Sequence, residues 1–476
     1  MKLVKSLLLS APAAVMAFSA ANAADLPSKK AAPVSYVKIC DAYGAGFFYI
    51  PGTDTCLKVG GYVRAEYSYS PTKTTTVISS AGTITNSPAN TEDSLGWRAR
   101  GRIDLDARTQ TAFGTVRTVI SDRLQSRSGL TNNAANAFAG AGATAENTAV
   151  EAAFVQFAGF TAGRAGENFS FFPGSSHYFN GSGTWASFPT GVKQLAYTAT
   201  FGGGFSATIA LEDRADFSNT FAVTSVNTTA AVATPNNTPL VAANLRLDQA
   251  WGSAQLMGAV TKNEATAAQT GVFSSQSVSK TGFAIGGGVK FNLPMLAAGD
   301  QLWLTAAYAE GINDLVGYMS SNNGDQASSL RGFTRNDNSF YVARNAAGAI
   351  ASGQEKAYGF GAIFTHYWLP TLRTNLMASY GRFTPPSIGS LGNTFVTAGG
   401  LTTAGATGGG LSKATVYQLA ANLIWTPVSG LDIGAEVAYR NLKQSVDATY
   451  IAVAPTVLGA VNPNEVSGRL RVQRSF

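Results

Sequence analysis

Two histidines and two cysteines in 476 residues leave little material for a metal centre. His177 and His366 are far apart in the chain, and neither has a metal-ligand neighbour at useful spacing. Cys40 and Cys56 do not form a CxxC pair, so neither a metal site nor a redox motif is expected there. Charged residues make up 13% of the chain, against roughly 25% in ordinary soluble domains. The formal net charge is +7, two units of which are Lys2 and Lys5 at the extreme N-terminus. That balance, without lysine runs, argues against a nucleic-acid partner. Beyond the N-terminus no apolar run approaches the roughly 18 residues of a membrane-spanning helix. The triplet Gly286-Gly287-Gly288 lacks the lysine of a phosphate loop, and its place inside a strand suggests close packing or a bend. No cofactor is expected.

What the chain does have is alternation. Leu95–Arg108 reads LGWRARGRIDLDAR. Leu95, Trp97, Ala99, Gly101, Ile103, Leu105 and Ala107 share one parity, and Arg98, Arg100, Arg102, Asp104, Asp106 and Arg108 the other. Side chains on a strand point alternately to opposite faces, so one face is apolar or small and the other crowded with charge. Three successive arginines on one face repel each other unless water and counter-ions screen them. A wet lumen inside a lipid-facing wall satisfies both faces.

Met1–Ala23 reads as a secretory signal peptide. Lys2 and Lys5 open it, Leu7–Phe18 is apolar, and Ala21-Asn22-Ala23 is a small-x-small cleavage site. Residues 24–56 then form an N-terminal segment, periplasmic or lumenal, and 57–476 the barrel. In an oxidising compartment the two cysteines of an exported chain pair, which makes Cys40–Cys56 a staple on a small hairpin or plug-like segment containing Pro51-Gly52.

The alternation recurs in sixteen segments. They are Leu57–Tyr69, Leu95–Arg108, Phe113–Arg123, Ala149–Ala158, Phe160–Ala165, Val192–Phe201, Phe205–Arg214, Pro239–Gln249, Trp251–Lys262, Lys280–Asn292, Asp300–Gly311, Glu355–Tyr367, Thr371–Arg382, Lys413–Thr426, Leu431–Lys443 and Glu465–Phe476. The number is even, and every second connection is short while the others are long. That is the asymmetry of a membrane barrel with tight turns on one side and long loops on the other. Tyr67, Tyr69, Trp97, Tyr380, Trp425, Tyr439 and Phe476 fall near strand ends, as interfacial girdles require.

The runs VKICDAYGAGFFYIPGTDTCLKVGGYVRAEYSY (Val37–Tyr69), GWRARGRIDLDART (Gly96–Thr109) and VEAAFVQFAGFTAGRA (Val150–Ala165) resemble the alphaproteobacterial porin family of the Rhizobiales. The resemblance extends over the whole mature chain. It implies a trimeric, 16-stranded porin with loop 3 folded into the channel. The expected fold is therefore an all-β transmembrane antiparallel β-barrel of 16 strands with an inward constriction loop, in the outer membrane of a Gram-negative bacterium. The expected function is that of a general diffusion porin rather than an enzyme, passing ions and small hydrophilic solutes. Outer-membrane lipid, two further copies of the chain and the barrel-assembly machinery are the expected partners. The terminal strand ending at Phe476 resembles the signal which that machinery reads, although Arg474 breaks its apolar parity and must snorkel at the rim. Small outward residues at Gly61, Ala65, Ala99 and Gly101 suit close packing between barrels.

Closing the barrel sets the last strand beside the first. Lumenal parity then gathers Arg469 and Arg471, Arg64, the trio Arg98, Arg100 and Arg102, and Arg117 into a basic wall at similar depth, with Glu66, Asp104 and Asp106 sharing the lumen. The segment Gly166–Gly191, rich in aromatics and glycine, exposes too much apolar surface to remain in water, so it is expected to fold inward. Glu167 is its only acidic residue and His177 its only histidine. A charged ring in a narrow passage selects by sign, here with a mild lean towards anions. Two other readings compete. In one, long loops such as Ile312–Gln354 serve as an adhesin or surface antigen on a barrel anchor. In the other, a barrel enzyme carries a nucleophile–base pair at its rim.

Overall fold

The computed structural model describes residues 38–70, 75–78, 84–87, 94–129, 144–171, 191–217, 222–223, 232–233, 236–267, 275–317, 340–344, 350–386, 392–396, 402–407, 413–445 and 460–476. Sixteen antiparallel strands close on themselves. They are β1 (Thr55–Tyr69), β2 (Leu95–Thr111), β3 (Gly114–Gly129), β4 (Thr144–Phe157), β5 (Phe160–Gly166), β6 (Gly191–Gly202), β7 (Phe205–Glu212), β8 (Leu240–Gln249), β9 (Gly252–Ala267), β10 (Gln276–Asn292), β11 (Gln301–Glu310), β12 (Lys356–Leu369), β13 (Leu372–Thr384), β14 (Lys413–Val428), β15 (Leu431–Ser445) and β16 (Asn464–Ser475). Each pairs with its chain neighbour, and β16 pairs with β1 from Tyr62↔Ser475 to Tyr69↔Gly468. All sixteen expected segments are strands of this ring.

Their ends differ from the expectation mainly on one side. β3, β4, β9 and β10 run four to six residues further towards the long loops, to Gly129, Thr144, Ala267 and Gln276. Alternation is imposed by lipid on one face and water on the other. Past the bilayer both faces meet water, and the pattern fades while the ladder continues.

Side-chain direction follows parity. Val63, Trp97, Ile103, Ile285, Phe360, Leu419 and Leu470 point outward and are exposed. Tyr67 meets Trp97 edge-on at 4.7 Å at the long-loop end, and Trp251 meets Phe291 at 5.8 Å at the other. The short connections are tight turns. Gly202, Gly203 and Gly204 all have positive φ between β6 and β7, and a Cβ on Gly204 would lie 1.9 Å from the Asp248 carbonyl oxygen. Only glycine allows both the turn and that approach.

At the short-turn end the segment before β1 forms a hairpin with it, Phe47–Tyr49 pairing from Phe47↔Lys58 to Tyr49↔Cys56. Cys40 and Cys56 are joined by a disulfide and buried with Phe47. Arg108 lies 4.8 Å over the Phe47 ring. The long connections carry further pairing that alternation did not reveal: the hairpins Thr75–Ile78 with Ile84–Ser87, Phe340–Arg344 with Ile350–Gln354, and Gly392–Val396 with Thr402–Thr407.

Candidate functional site in the barrel lumen

The closure of β16 on β1 creates the centre of the basic wall. Glu66 sits opposite Arg98 on one side and Arg471 on the other. Its carboxylate is fully buried, accepts hydrogen bonds from the Nε of both Arg98 and Arg471, and lies 3.8 Å from Arg469 Nη1. Arg469 Nε also donates to Ser68 Oγ at 3.1 Å. Two residues along the strand, on the same face, Arg64 is directly opposite Arg100. Arg64 Nε donates to Gln473 at 2.8 Å, and Arg100 grips Gln125 through two nitrogens at 2.6 and 3.0 Å. Arg98, Arg469 and Arg471 therefore gather on the Glu66 carboxylate, and Arg64 and Arg100 face each other beside them, so that five arginines stand on three adjacent strands. Arginine does not lose its proton in a protein, so this charge is permanent.

Arg102 and Arg117 stand apart from that cluster. Arg102 is opposite Tyr62 and Arg123. It donates to Asp104 at 2.7 Å, to Glu151 at 3.1 Å and to Ser121 at 3.2 Å. Arg117 is opposite Arg108, nearer the short-turn end. It shares Asp106 with Arg108, at 3.0 and 2.8 Å, and reaches Gln156 at 3.0 Å. The wall is thus a ladder of charge with two satellite groups below a dense centre, and not a single level.

Glu151 escaped the sequence reading. The β3–β4 register slips between Ser121 and Asp122, leaving residue 151 as an extra position opposite the ladder. That bulge turns its carboxylate between Arg102 and Arg123, at 3.1 and 3.0 Å. Bulges re-aim side chains in this way, and parity counted along β4 cannot find them. Arg123, which shares the parity of Arg117, was legible on that ground.

The opposite wall combines the glycines of β10 and aromatic rings with two cations, Arg246 5.6 Å over the Phe171 ring and Lys290 5.4 Å over the Trp303 ring. Residues 167–171, which follow β5, run along the inside of β7 to β11. The backbone N–H and the side chain of Asn168 both donate to Glu212 at 2.8 Å. The Asn168 carbonyl accepts from Asn244 at 2.7 Å, and the Ser170 carbonyl from Gln255 at 3.0 Å. Phe169 and Phe171 are buried, Phe171 lying 5.2 Å from the Trp303 ring. Their seats are the lumenal glycines of β10. A Cβ on Gly288 would lie 2.2 Å from Phe171, and one on Gly286 would lie 3.0 Å from Phe169. The close packing expected of the triplet is what these two positions provide. Glu167 folds back on its own loop, accepting from the Phe169 N–H at 2.5 Å and from the Ser170 hydroxyl. His177 lies outside the described residues.

Two further pieces sit over the same half of the lumen at the long-loop end. The 3-10 turn Arg214–Asp216 is capped by Asp213, which accepts from the Ala215 N–H at 2.9 Å. Asp213 and Asp216 both bind Lys193, at 2.9 and 2.8 Å, and Asp216 also binds Arg164 at 2.8 Å. The Lys193 ammonium and the Ala215 N–H hold the Asp213 carboxyl below its ordinary range. Burial opposes ionisation of Asp216, yet the Lys193 N–H, the Lys193 ammonium and Arg164 outweigh it and hold that carboxyl low as well. Following β11, Leu315 and Val316 are buried, and Asn313 donates to Glu355 at 2.7 Å.

The second histidine faces outward. His366 Nδ1 lies 2.7 Å from Asp300, and its ring meets Trp368 edge-on at 4.5 Å, close to the short-turn rim. At the same rim Arg474 donates to the Ser429 carbonyl in the turn before β15, which accounts for an arginine at an apolar parity.

A closed sixteen-strand barrel with an apolar exterior and a charged bore defines a porin-type barrel of the bacterial outer membrane. The chain belongs to the family described as the Porin subfamily, whose profile matches residues 25–466. It is 37% identical over 221 residues to porin Omp2b of Brucella canis, and 36% identical over 226 residues to porin Omp2b of Brucella suis biovar 1. Each alignment covers 45% of this chain and 55% of the relative, so the chain matches little more than half the length of these proteins. The barrel is similar in fold to the outer-membrane channel DcaP of Acinetobacter baumannii, with a TM-score of 0.54 at 16% identity over 90% of this chain and 99% of that one.

Proposed function

We propose that this protein is a general diffusion porin, a passive water-filled channel for ions and small hydrophilic solutes, with a lean towards anions. The observation that carries this reading is the gathering of Arg98, Arg469 and Arg471 on the carboxylate of Glu66, with the facing pair Arg64 and Arg100 beside them, on one side of the bore. The segment beginning at Glu167 is the constriction loop. Its first residues are anchored on the far wall by Phe169 and Phe171, and the passage runs between that loop and the arginines. Fixed cationic groups in a narrow bore raise the local anion concentration and penalise cations. The chemistry asked of the protein is sorting by charge and size rather than bond making, so no catalytic role is assigned.

Residues 1–23 act as the export leader, and the disulfide-stapled segment before β1 lies at the periplasmic mouth. The barrel works as a homotrimer. The small outward residues Gly61, Ala65, Ala99 and Gly101 on β1 and β2 allow close approach of a second barrel. Insertion depends on the barrel-assembly machinery reading β16.

Planar-bilayer recording in a salt gradient tests the central claim. Replacing Arg98, Arg100 and Arg102 with glutamine is expected to move the reversal potential towards cation permeability. An unchanged reversal potential removes these residues from the selectivity of the channel.

A further inference from the structure

The outer wall of β9 to β15 carries an apolar furrow on the face away from the bore. Its upper part has a volume of about 920 Å³ and is lined by Leu304, Ala306, Phe360, Ala362, Ala378 and Leu419. An adjoining part of about 500 Å³ continues over Leu376, Ala421 and Val437. The floor is mostly alanine, and leucine, phenylalanine and tyrosine form the sides. At its long-loop end the furrow meets a belt of tyrosines. Tyr380 lies 6.0 Å from Tyr358 and 5.2 Å from Tyr417.

Above the belt the same outward parity presents four cations on four adjacent strands: Lys356 on β12, Arg382 on β13, Lys413 on β14 and Lys443 on β15, all exposed. Arg382 is opposite Tyr358 on one side and Thr415 on the other, and Thr415 is opposite Lys443. Arg382 and Lys443 are therefore two strands apart, about 10 Å between backbones, a gap that two long side chains close around one phosphate. Lys443 stands 5.5 Å over the Tyr417 ring. Glu310 approaches Lys356 to 3.9 Å and takes up part of that charge, so Arg382, Lys413 and Lys443 carry most of the local field.

We propose that this face binds an anionic glycolipid of the outer leaflet, one with more than one phosphate and more than one acyl chain. The proposal rests on the outer-membrane placement of the barrel with its long loops outside. Charge complementarity selects the occupant. The row of cations is several strands wide, at the depth where outer-leaflet headgroups lie, and suits a headgroup with separated phosphates. The two-part furrow directly beneath receives the chains. Arginine binds phosphate through two parallel N–H donors, which makes Arg382 the specific contact and Lys443 the supporting charge. A zwitterionic lipid offers the same chains and a headgroup without net charge, and gains nothing from this row.

The test uses the full-length protein purified in a non-ionic detergent and titrated with diphosphorylated lipid A, its dephosphorylated form and phosphatidylcholine, with bound lipid counted by native mass spectrometry. Diphosphorylated lipid A is expected to bind in preference to the other two. Arg382→Gln with Lys443→Gln is expected to weaken it about 20- to 30-fold, at roughly a factor of five for each cation near a charged interface. Ala378→Trp, which fills the furrow and leaves the cations in place, is expected to lower binding as well. Equal binding of the dephosphorylated form, or unchanged binding by the double variant, overturns the proposal. So does dissociation of the oligomer by the variants with lipid uptake intact, since the face is then a contact between copies of the chain. Single-channel conductance and reversal potential are expected to stay at wild-type values in both variants. A failure of lipid binding is thereby separated from a failure of the channel reading.

Discussion

Glu66 and Arg98 face each other directly across the β1–β2 ladder, and the carboxylate of the first accepts the Nε–H of the second while holding Arg471 from the other side. The two residues are separated by 32 positions in the chain and Arg471 by a further 373, so this contact is where the two ends of the barrel wall are tied together. Burial makes the arrangement unforgiving, because removing one partner of a buried ion pair leaves the others uncompensated.

Glu66→Gln is therefore expected to cost about 3–5 kcal/mol of stability, read as a lower midpoint in thermal or urea unfolding of the detergent-solubilised protein. It is also expected to make the channel more anion-selective. A variant with wild-type stability would show that Arg98, Arg469 and Arg471 do not depend on this carboxylate.

Glu151 lies between Arg102 and Arg123. Glu151→Gln removes one negative charge from the lumen and leaves both arginines in place. The reversal potential is expected to shift towards anions, opposite in sign to the shift from replacing Arg98, Arg100 and Arg102. A shift in the same direction would contradict the assignment of Glu151 to the lumenal face.

Gly288 is the seat of Phe171. A methyl group there enters the space of the ring, and overpacking of this kind costs about 1–3 kcal/mol. Gly288→Ala is expected to lift the start of the loop, raise single-channel conductance and increase proteolytic cutting near residues 167–171. Gly286→Ala, with a looser approach to Phe169, is expected to show the same changes to a smaller degree.

Asp213 and Asp216 have depressed pKa values in the folded chain. Their contribution to stability is fully present above the ordinary aspartate range, near pH 4, and is lost as pH falls through the lower folded values. Hydrogen-exchange protection of residues 213–217 is expected to hold from neutral pH to about 4 and to decline in stronger acid. Asp216→Asn is expected to shrink that decline, leaving the part due to Asp213, and to lower protection at neutral pH.

The candidate site was readable in part, and the boundary has a physical cause. Parity placed Arg64, Arg98, Arg100, Arg469 and Arg471 on one face because each lies on an unbroken stretch of strand between lipid and water. It missed Glu151 because a bulge shifts the count by one. It set Arg117 level with the others because parity gives the face of a strand and says nothing of height along it. Height comes from the β2–β3 register, which pairs Arg117 with Arg108. The hydrogen bonds that Glu167 accepts from the Phe169 N–H and the Ser170 hydroxyl are set by the local turn of the loop, which parity does not describe.

What the chain determined by itself was everything governed by the solvent on either side of a strand: sixteen crossings, which residues face lipid, and the alternation of short and long connections. The period-two pattern is local, and a lipid–water boundary enforces it residue by residue. What only the folded barrel decided was everything that needs distant strands to meet: Glu66 among arginines from both ends of the chain, Phe171 on Gly288, and a furrow and a row of cations built from several strands at once. Those relations depend on register, bulges and closure, which arise from the ladder as a whole and leave no mark in any single stretch of sequence.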